Sequence, residues 1–447
     1  MLHRIIRAAL RIILRVFFPH IETAGIERIP RDGPVILAVN HPNGLIDPLF
    51  LLCLSPRPVS FLAKAPLFEM PVIGWFVKAL GSIPVYRRQD GGFDSTKNQK
   101  TFERARAILS SGGVIAIFPE GASHGDPKLR PLKTGAARIA LGAAAGIRGE
   151  PLRIAPVGIY YTAKGIFRSS ALLYFGETIA VKSEPLGADN EPTAESVRSL
   201  TAKIQSALAD VTLQADEREA LALVAQTEEV LSSEDPTSDE RLVDRFELRR
   251  RIMAGYTTMR EHAPDRLASI SSRVAQYVSE LEQSGLDPRT LKPQGSTAVV
   301  AKTPGVVREV DLLVFVFPLA IIGTILNYPV YRLVGFITAR LSRDDDDIVA
   351  TIKMIAGALL FPLAWILLAV AAGIFFGWFA ALITLIIAPL SGYAALVFFE
   401  RLSRSIGGAR ALAMSRFRRW GYLKLVAERV AIREELTALA DEYEVKP

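Results

Sequence analysis

Short apolar runs alternate with amphipathic stretches through the first half of the chain. Long uncharged runs replace them in the last third. Residues 35–39, 59–63, 82–86, 113–118, 153–161 and 172–175 are short apolar runs bounded by glycine, proline or charge, the form of buried strands. Helical spacing fits 45–54, 71–80, 95–111, 134–145 and 194–211. Strands alternating with helices predict an α/β domain over 21–215, a mostly parallel sheet flanked by helices.

The remaining pattern is helical. Residues 1–20 place Arg4, Arg7, Arg11 and Arg15 on one face of an amphipathic helix, with Ile, Leu and Phe elsewhere. Such a helix is expected to lie in a membrane interface, arginines toward lipid phosphates; packing on the domain is the alternative. Residues 216–300 are charged and helical, a solvated arm, and 286–307 reads as a linker with Pro288, Pro293 and Pro304. The loop 232–238 breaks the arm. Within 301–400 two stretches, 354–376 and 378–399, are uncharged and long enough to span a bilayer, which takes roughly 20 residues. They predict a C-terminal transmembrane helical hairpin. The segment 312–326 is shorter and runs into Asn327, Tyr328 and Pro329, so it is expected not to cross; the acidic run 344–347 reads as a solvated loop. The tail, 401–447, is basic, including Arg401, Arg404, Arg410 and Arg429. The distribution of positive charge predicts a cytoplasmic tail. With no export signal read at the start, the α/β domain is expected to be cytoplasmic too, and the protein multi-pass.

Composition narrows the chemistry. Among 447 residues half are apolar, and 53 Lys and Arg against 46 Asp and Glu leave a net charge of +7. In a chain with membrane segments this balance points to anionic lipid, not nucleic acid. The single cysteine, Cys53, excludes an internal disulfide and a cysteine-based metal site, and no metal is expected. Only five histidines are available as bases, His41 and His124 among them.

His41 stands just past the run 35–39. Pro42, Asn43 and Gly44 then mark a turn, and Asp47 opens the next helix. A histidine with a carboxylate to orient it is the layout of an acid–base pair. Residues six apart on a regular helix differ by about 240°. An irregular turn at Asn43 and Gly44 is therefore required to bring Asp47 back to His41. A second stretch, Pro119-Glu120-Gly121-Ala122-Ser123-His124, follows the run 113–118 and precedes Lys128, Arg130 and Lys133. The helix start at Thr134 favours an anion. A third stretch ends in Arg87-Arg88, and arginine suits a bidentate grip on phosphate. The fourth, 154–160, carries Pro156 and Gly158 on a buried strand that is a candidate pocket wall. Lys64 ends another strand and is a further candidate for the same edge. His124, near Asp126, reads as structural or acceptor-contacting.

NHPNGLID, GSIPVYR, FPEGASH and IAPVGIY occur in that order. Together they resemble the four blocks of the glycerolipid acyltransferases, the group that includes glycerol-3-phosphate and lysophosphatidic acid acyltransferases. The resemblance covers about 21–215. It implies a catalytic histidine and supporting aspartate at His41 and Asp47, an acceptor-phosphate arginine at Arg87, an acceptor loop at Glu120 and Gly121, and an acyl-donor side at Pro156. The His41–Asp47 spacing is one residue longer than the commoner pattern, and Ala122-Ser123-His124 replaces the usual continuation of the third block. Both features are similar to the membrane-anchored glycerol-3-phosphate/dihydroxyacetone-phosphate branch.

The expected activity is transfer of a fatty acyl group from a thioester, acyl-CoA or acyl-carrier protein, to glycerol 3-phosphate, with Arg87 and Lys133 among the phosphate ligands and no cofactor. Acylation of lysophosphatidic acid is the alternative enzyme, and a non-catalytic membrane scaffold the alternative from another class. The implied partners are membrane lipids, the thioester donor and a phosphate-bearing acceptor.

Overall fold

The computed structural model describes residues 2–70, 74–75, 77–78, 81–87, 95–187, 191–232, 241–286, 304–342 and 346–442. Arg88, most of the expected helix 71–80, the loop 233–238, the linker residues 287–303 and the acidic residues 344–345 lie outside them. The chain forms two compact units, Met1–Asp216 with Ser342–Met354, and Glu217–Leu341 with Ile355–Pro447.

The first unit is built on a mixed eight-stranded sheet. Its strands are β1 His20–Ala24, β2 Val35–Val39, β3 Val59–Lys64, β4 Ile83–Val85, β5 Val114–Ile117, β6 Arg153–Tyr161, β7 Ser170–Phe175 and β8 Ile179–Ala180. The order is β1-β7-β6-β2-β5-β3-β4, with β8 on β6. Strand β2 runs parallel to both neighbours, β5 and β6, while β7 and β8 run antiparallel to β6. The six expected runs all become strands. Strands β1 and β8 were not expected: β1 is the polar sequence HIETA, and β8 is two residues long.

Helices α1 Leu2–Phe17, α2 Ile46–Leu54, α3 Ser95–Ser110, α4 Gly135–Ala144 and α5 Ala194–Asp210 complete the layers. Alternation along each strand divides the core in two. Val35, Leu37 and Val39 of β2 join Ala155, Val157, Ile159 and Tyr161 of β6 in one cluster with α1 and α2. Ile36, Ala38 and Ile154 face the other way, toward α3, α4 and α5.

Helix α1 packs on the sheet domain through part of its surface, while Ile12 and Val16 stay exposed. Arg7 donates to the carbonyls of Leu52 and Ser55 at 2.7 and 2.8 Å. Arg11 donates twice to Cys53, at 3.0 and 2.7 Å. These two arginines therefore satisfy carbonyls at the end of α2, which a helix leaves without internal partners. Leu14 and Phe17 bury the same side of α1.

The second unit is helical: α6 Arg218–Leu231, α7 Leu242–His262, α8 Pro264–Ser284, α9 Pro304–Ser342, α10 Asp346–Phe376, α11 Trp378–Phe417 and α12 Arg419–Glu442, with the first turns of α10 belonging to the first unit. The arm is not merely solvated. Val230, Ile270, Val274 and Tyr277 share a core with Tyr422, Leu425 and Ile432 of the tail. Arg429, counted above among the tail's positive charges, is buried and donates to the carbonyls of Val230 and Ser232.

Leu313–Ser342, Ile348–Phe376 and Trp378–Ser403 are each long and apolar enough to cross a membrane. The expected short segment 312–326 is therefore part of a longer helix; Asn327 and Pro329 do not end it. Asn327 instead donates to the carbonyls of Gly323 and Ala388 at 2.9 and 3.3 Å and accepts from Trp365 Nε1 at 2.8 Å. An amide in an apolar helix needs such partners.

Candidate active site

The site lies where parallel strands end, the edge at which open α/β sheets generally bind ligands. Asn40 continues the β2–β6 pairing with its side chain. Its Oδ1 accepts the Ile159 N–H at 2.7 Å and its Nδ2 donates to the Ile159 carbonyl at 3.1 Å. This clasp delivers the following residue, His41, to the sheet edge.

His41 Nδ1 lies 2.8 Å from Asp47 Oδ2. Residues 42–45 form the irregular turn that the spacing demands, and α2 begins at Ile46. The Asn43 N–H donates to Asp47 Oδ2 at 2.8 Å, closing the turn onto the carboxylate. Gly44 is not among the residues with left-handed backbone. The turn therefore rests on the Asn43 amide and not on a glycine conformation at Gly44.

Asp47 is fully buried. Its other oxygen accepts the Tyr161 hydroxyl at 2.6 Å. Burial pushes the Asp47 carboxyl above the usual range, against the pull of His41, Tyr161 and the Asn43 amide. Burial and the Asp47 charge hold the Tyr161 phenol well above its ordinary value, so Tyr161 stays a donor. The His41 ring stacks on Phe118, with centroids 4.1 Å apart. With Nδ1–H on the carboxylate, Nε2 keeps a free lone pair, and the side chain is 15% exposed.

Glu120 ties the loop after β5 to His41. Its side chain is buried. Oε1 accepts the His41 N–H at 3.1 Å, and Oε2 accepts the Arg130 N–H at 3.0 Å and meets His124 Nε2. His124 is buried as well. Its N–H donates to the His41 carbonyl at 3.1 Å, and its Nδ1 accepts the Asp126 N–H at 3.2 Å. Glu120 and His124 thus hold both backbone polar groups of His41. His124, with both nitrogens engaged, is a support and not a second base.

Gly121 adopts φ +80° in the turn closed by its N–H on the Phe118 carbonyl at 3.0 Å. Side chains other than glycine are strained there. The Gly121 carbonyl accepts from Arg87 Nη1. The Lys133 stem covers the same glycine, and the Lys133 N–H donates to the Pro119 carbonyl at 2.7 Å. Arg87 and Lys133 therefore flank one loop beside His41. Lys128 and Arg130 pair with Asp216 and Asp126 at the surface, and Lys64 is exposed.

Pro156 and Gly158 do not wall this site. They alternate with Val157 and Tyr161 and so point through the opposite face of the sheet. A Cβ on Gly158 would meet the Val211 carbonyl oxygen at 1.7 Å, and Pro156 packs against Gly176. Their place is the contact between β6 and the end of α5. Among the described residues, no three His, Cys, Asp or Glu side chains gather to hold a metal ion.

The sequence reading missed Tyr161, the Asn40 side chain and the stacking partner Phe118. Alternation along β6 carries the signal for Tyr161, since it puts Tyr161 on the face of Val157 and Ile159.

Known proteins match both parts of the chain. A family described as Acyltransferase matches residues 20–160. Another, described as Glycerol-3-phosphate acyltransferase 2 C-terminal domain, matches residues 234–446. Glycerol-3-phosphate O-acyltransferase 2 of Saccharomyces cerevisiae is 27% identical over 281 residues, 60% of this chain and 37% of the relative. Glycerol-3-phosphate O-acyltransferase 1 of the same yeast is 25% identical over 452 residues, 79% of this chain and 59% of the relative. A chloroplastic 1-acyl-sn-glycerol-3-phosphate acyltransferase of Brassica napus is 30% identical over 138 residues, 31% of this chain and 38% of the relative. The chain thus spans between 37% and 59% of the length of the two yeast relatives. The sheet domain is thus similar to the acyltransferases over residues 20–160, and the helical part to the C-terminal domain of glycerol-3-phosphate acyltransferase 2 over residues 234–446.

Proposed function

We propose that this protein transfers a fatty acyl group from an acyl thioester to the hydroxyl of glycerol 3-phosphate. The carrying observation is the His41–Asp47 contact of 2.8 Å on a fully buried carboxylate, with Nε2 left for a substrate. In the reaction, Nε2 takes the acceptor's hydroxyl proton as its oxygen attacks the thioester carbonyl. The new C–O bond forms, the C–S bond breaks, and the leaving thiolate takes up the proton from the imidazolium. Asp47 holds Nδ1–H and stabilises the imidazolium. Direct attack requires no acyl-enzyme. Arg87 and Lys133, on either side of Gly121, are the proposed phosphate ligands.

The names of the two yeast relatives and of the C-terminal family support glycerol 3-phosphate as acceptor. A second reading, acylation of 1-acylglycerol 3-phosphate, is favoured by the higher identity of the Brassica napus relative over its shorter match of 138 residues. The acceptor assay separates the two. Purified protein with acyl-CoA is offered glycerol 3-phosphate, dihydroxyacetone phosphate and lysophosphatidic acid in parallel. Fastest turnover with glycerol 3-phosphate is expected, and turnover with lysophosphatidic acid alone would replace the first reading by the second.

We further propose that the sheet domain and the start of α10 share one side of the membrane, because Leu45 and Thr351 meet within one compact unit. The basic tail favours the cytoplasmic side. A cysteine introduced at Phe376 is expected to label from the opposite side to one introduced at Asp346. Labelling of both from one side would contradict this placement.

A further inference from the structure

Asp47 sits in the first turn of α2, so the start of that helix sets where its carboxylate points. The residue before the helix, Leu45, offers no side-chain cap. The first N–H groups of a helix need acceptors from outside it. The Leu45 N–H finds one in Thr351 Oγ1, 3.3 Å away and 306 positions later in the chain. Thr351 belongs to the first turns of α10, where Ala350 and Met354 are buried in the same core as Phe50 and Tyr161.

A second tie lies two residues on. Lys353 Nζ donates to the Gly165 carbonyl at 2.7 Å. The loop that carries Gly165 also grips the turn. The Lys164 carbonyl accepts from Asn43 Nδ2 at 3.4 Å, and Lys164 Nζ donates to the Pro42 carbonyl at 3.3 Å. The turn from His41 to Asp47 is thus held by its own strand, by the loop after β6, and by a segment outside the matched acyltransferase region of residues 20–160.

We propose that Thr351 is a positioning residue for the His41–Asp47 pair, its hydroxyl setting the first turn of α2. The acyltransferase domain is completed by the start of an apolar helix from the C-terminal part of the chain. The proposal rests on the acyl-transfer reading above.

Thr351→Val keeps the side-chain volume and removes the acceptor. In the full chain it is expected to lower kcat about 5- to 10-fold, the effect of one lost hydrogen bond on the reacting geometry, with KM for donor and acceptor nearly unchanged. Thr351→Ser restores the hydroxyl and is expected to recover kcat to within about twofold. Hydrogen exchange at the Leu45 amide should rise in the valine variant and not in the serine variant. Wild-type kcat for Thr351→Val while His41→Ala is inactive overturns the proposal and leaves the acyl-transfer reading standing. So does a serine variant as slow as the valine variant, because the methyl contact would then be the cause. Activity in His41→Ala overturns the reading itself and the proposal with it. If the valine variant does not fold, Thr351→Ala carries the test: lowered kcat at unchanged KM supports the proposal, and unchanged kcat overturns it.

Discussion

Asp47 in one compact unit and Glu228 in the other are both fully buried, and the two carboxylates are partnered in opposite ways. Asp47 in the sheet unit meets an imidazole, a phenol and a backbone N–H. Glu228 in the helical unit meets two guanidiniums: Arg245 at 2.7 and 3.0 Å, and Arg249 at 2.9 and 3.2 Å. Burial pushes both carboxyls up. At Asp47 burial wins, and the group stands above the usual range. At Glu228 the hydrogen bonds and charges of Arg245 and Arg249 win, and the group is held below it. A carboxylate clamped by two arginines is neutralised and can only hold helices together. One held by a histidine leaves that histidine's far nitrogen able to accept a proton. The difference separates a structural ion cluster from a candidate site better than burial does.

The largest expected effect tests that division directly. Asp47→Asn should lower kcat by about 10³-fold or more, because the imidazole loses its orienting acceptor. The same change should not lower stability, since it removes a buried charge. Glu228→Gln should do the reverse. Turnover stays at wild type, while the chain loses about 3 kcal/mol, because two part-buried guanidiniums lose the charge of Glu228. Paired kinetic and denaturation measurements on the two variants check both halves.

The pH dependence of stability follows with opposite signs. Glu228, depressed in the folded protein, contributes stability that is present above its usual value of 4.5 and is lost as pH falls through the folded value. Asp47, raised, contributes below its usual value of 3.8, and that contribution is lost as pH rises through the folded value. Thermal unfolding of the wild type should therefore weaken toward acid more steeply than that of Glu228→Gln. Equal slopes would show that the arginine cluster does not govern this response.

Two glycines give the next contrast. Gly158→Ala forces a Cβ onto the Val211 carbonyl and should cost about 3 kcal/mol. Gly44→Ala, at a position without left-handed backbone, should cost less than about 1 kcal/mol. Reversed sizes in denaturant titrations would return the turn to glycine control. The smallest effect is expected for Tyr161→Phe: one hydrogen bond to Asp47 is lost, and kcat falls about 5-fold with KM unchanged.

What could be read in advance follows the range of the interactions. The buried runs of β2 and β6 announce themselves by composition, and the two strands occupy the expected residues. The turn between His41 and Asp47 is legible too, because helical geometry forbids their contact otherwise. Strand β1 was hidden because HIETA has no apolar pattern; it earns its place by pairing along β7. Glu120 was read as part of an acceptor loop; that its carboxylate is buried and holds the His41 N–H had no local signal, because the loop folds back over a residue 79 positions earlier. Pro156 and Gly158 were read as a candidate pocket wall, although alternation along the strand already separates them from Tyr161. The contact of Thr351 with Leu45 had no local signal at all, since it joins residues 306 positions apart.

The central claim is that His41 accepts the proton of a glycerol-phosphate hydroxyl. Its most direct test is the rate of acyl transfer from acyl-CoA to glycerol 3-phosphate by the wild type and by His41→Ala, both shown to be folded by their unfolding transitions. The account predicts turnover by the wild type and a loss of about 10³-fold or more in the variant. Equal turnover by the two chains would contradict it.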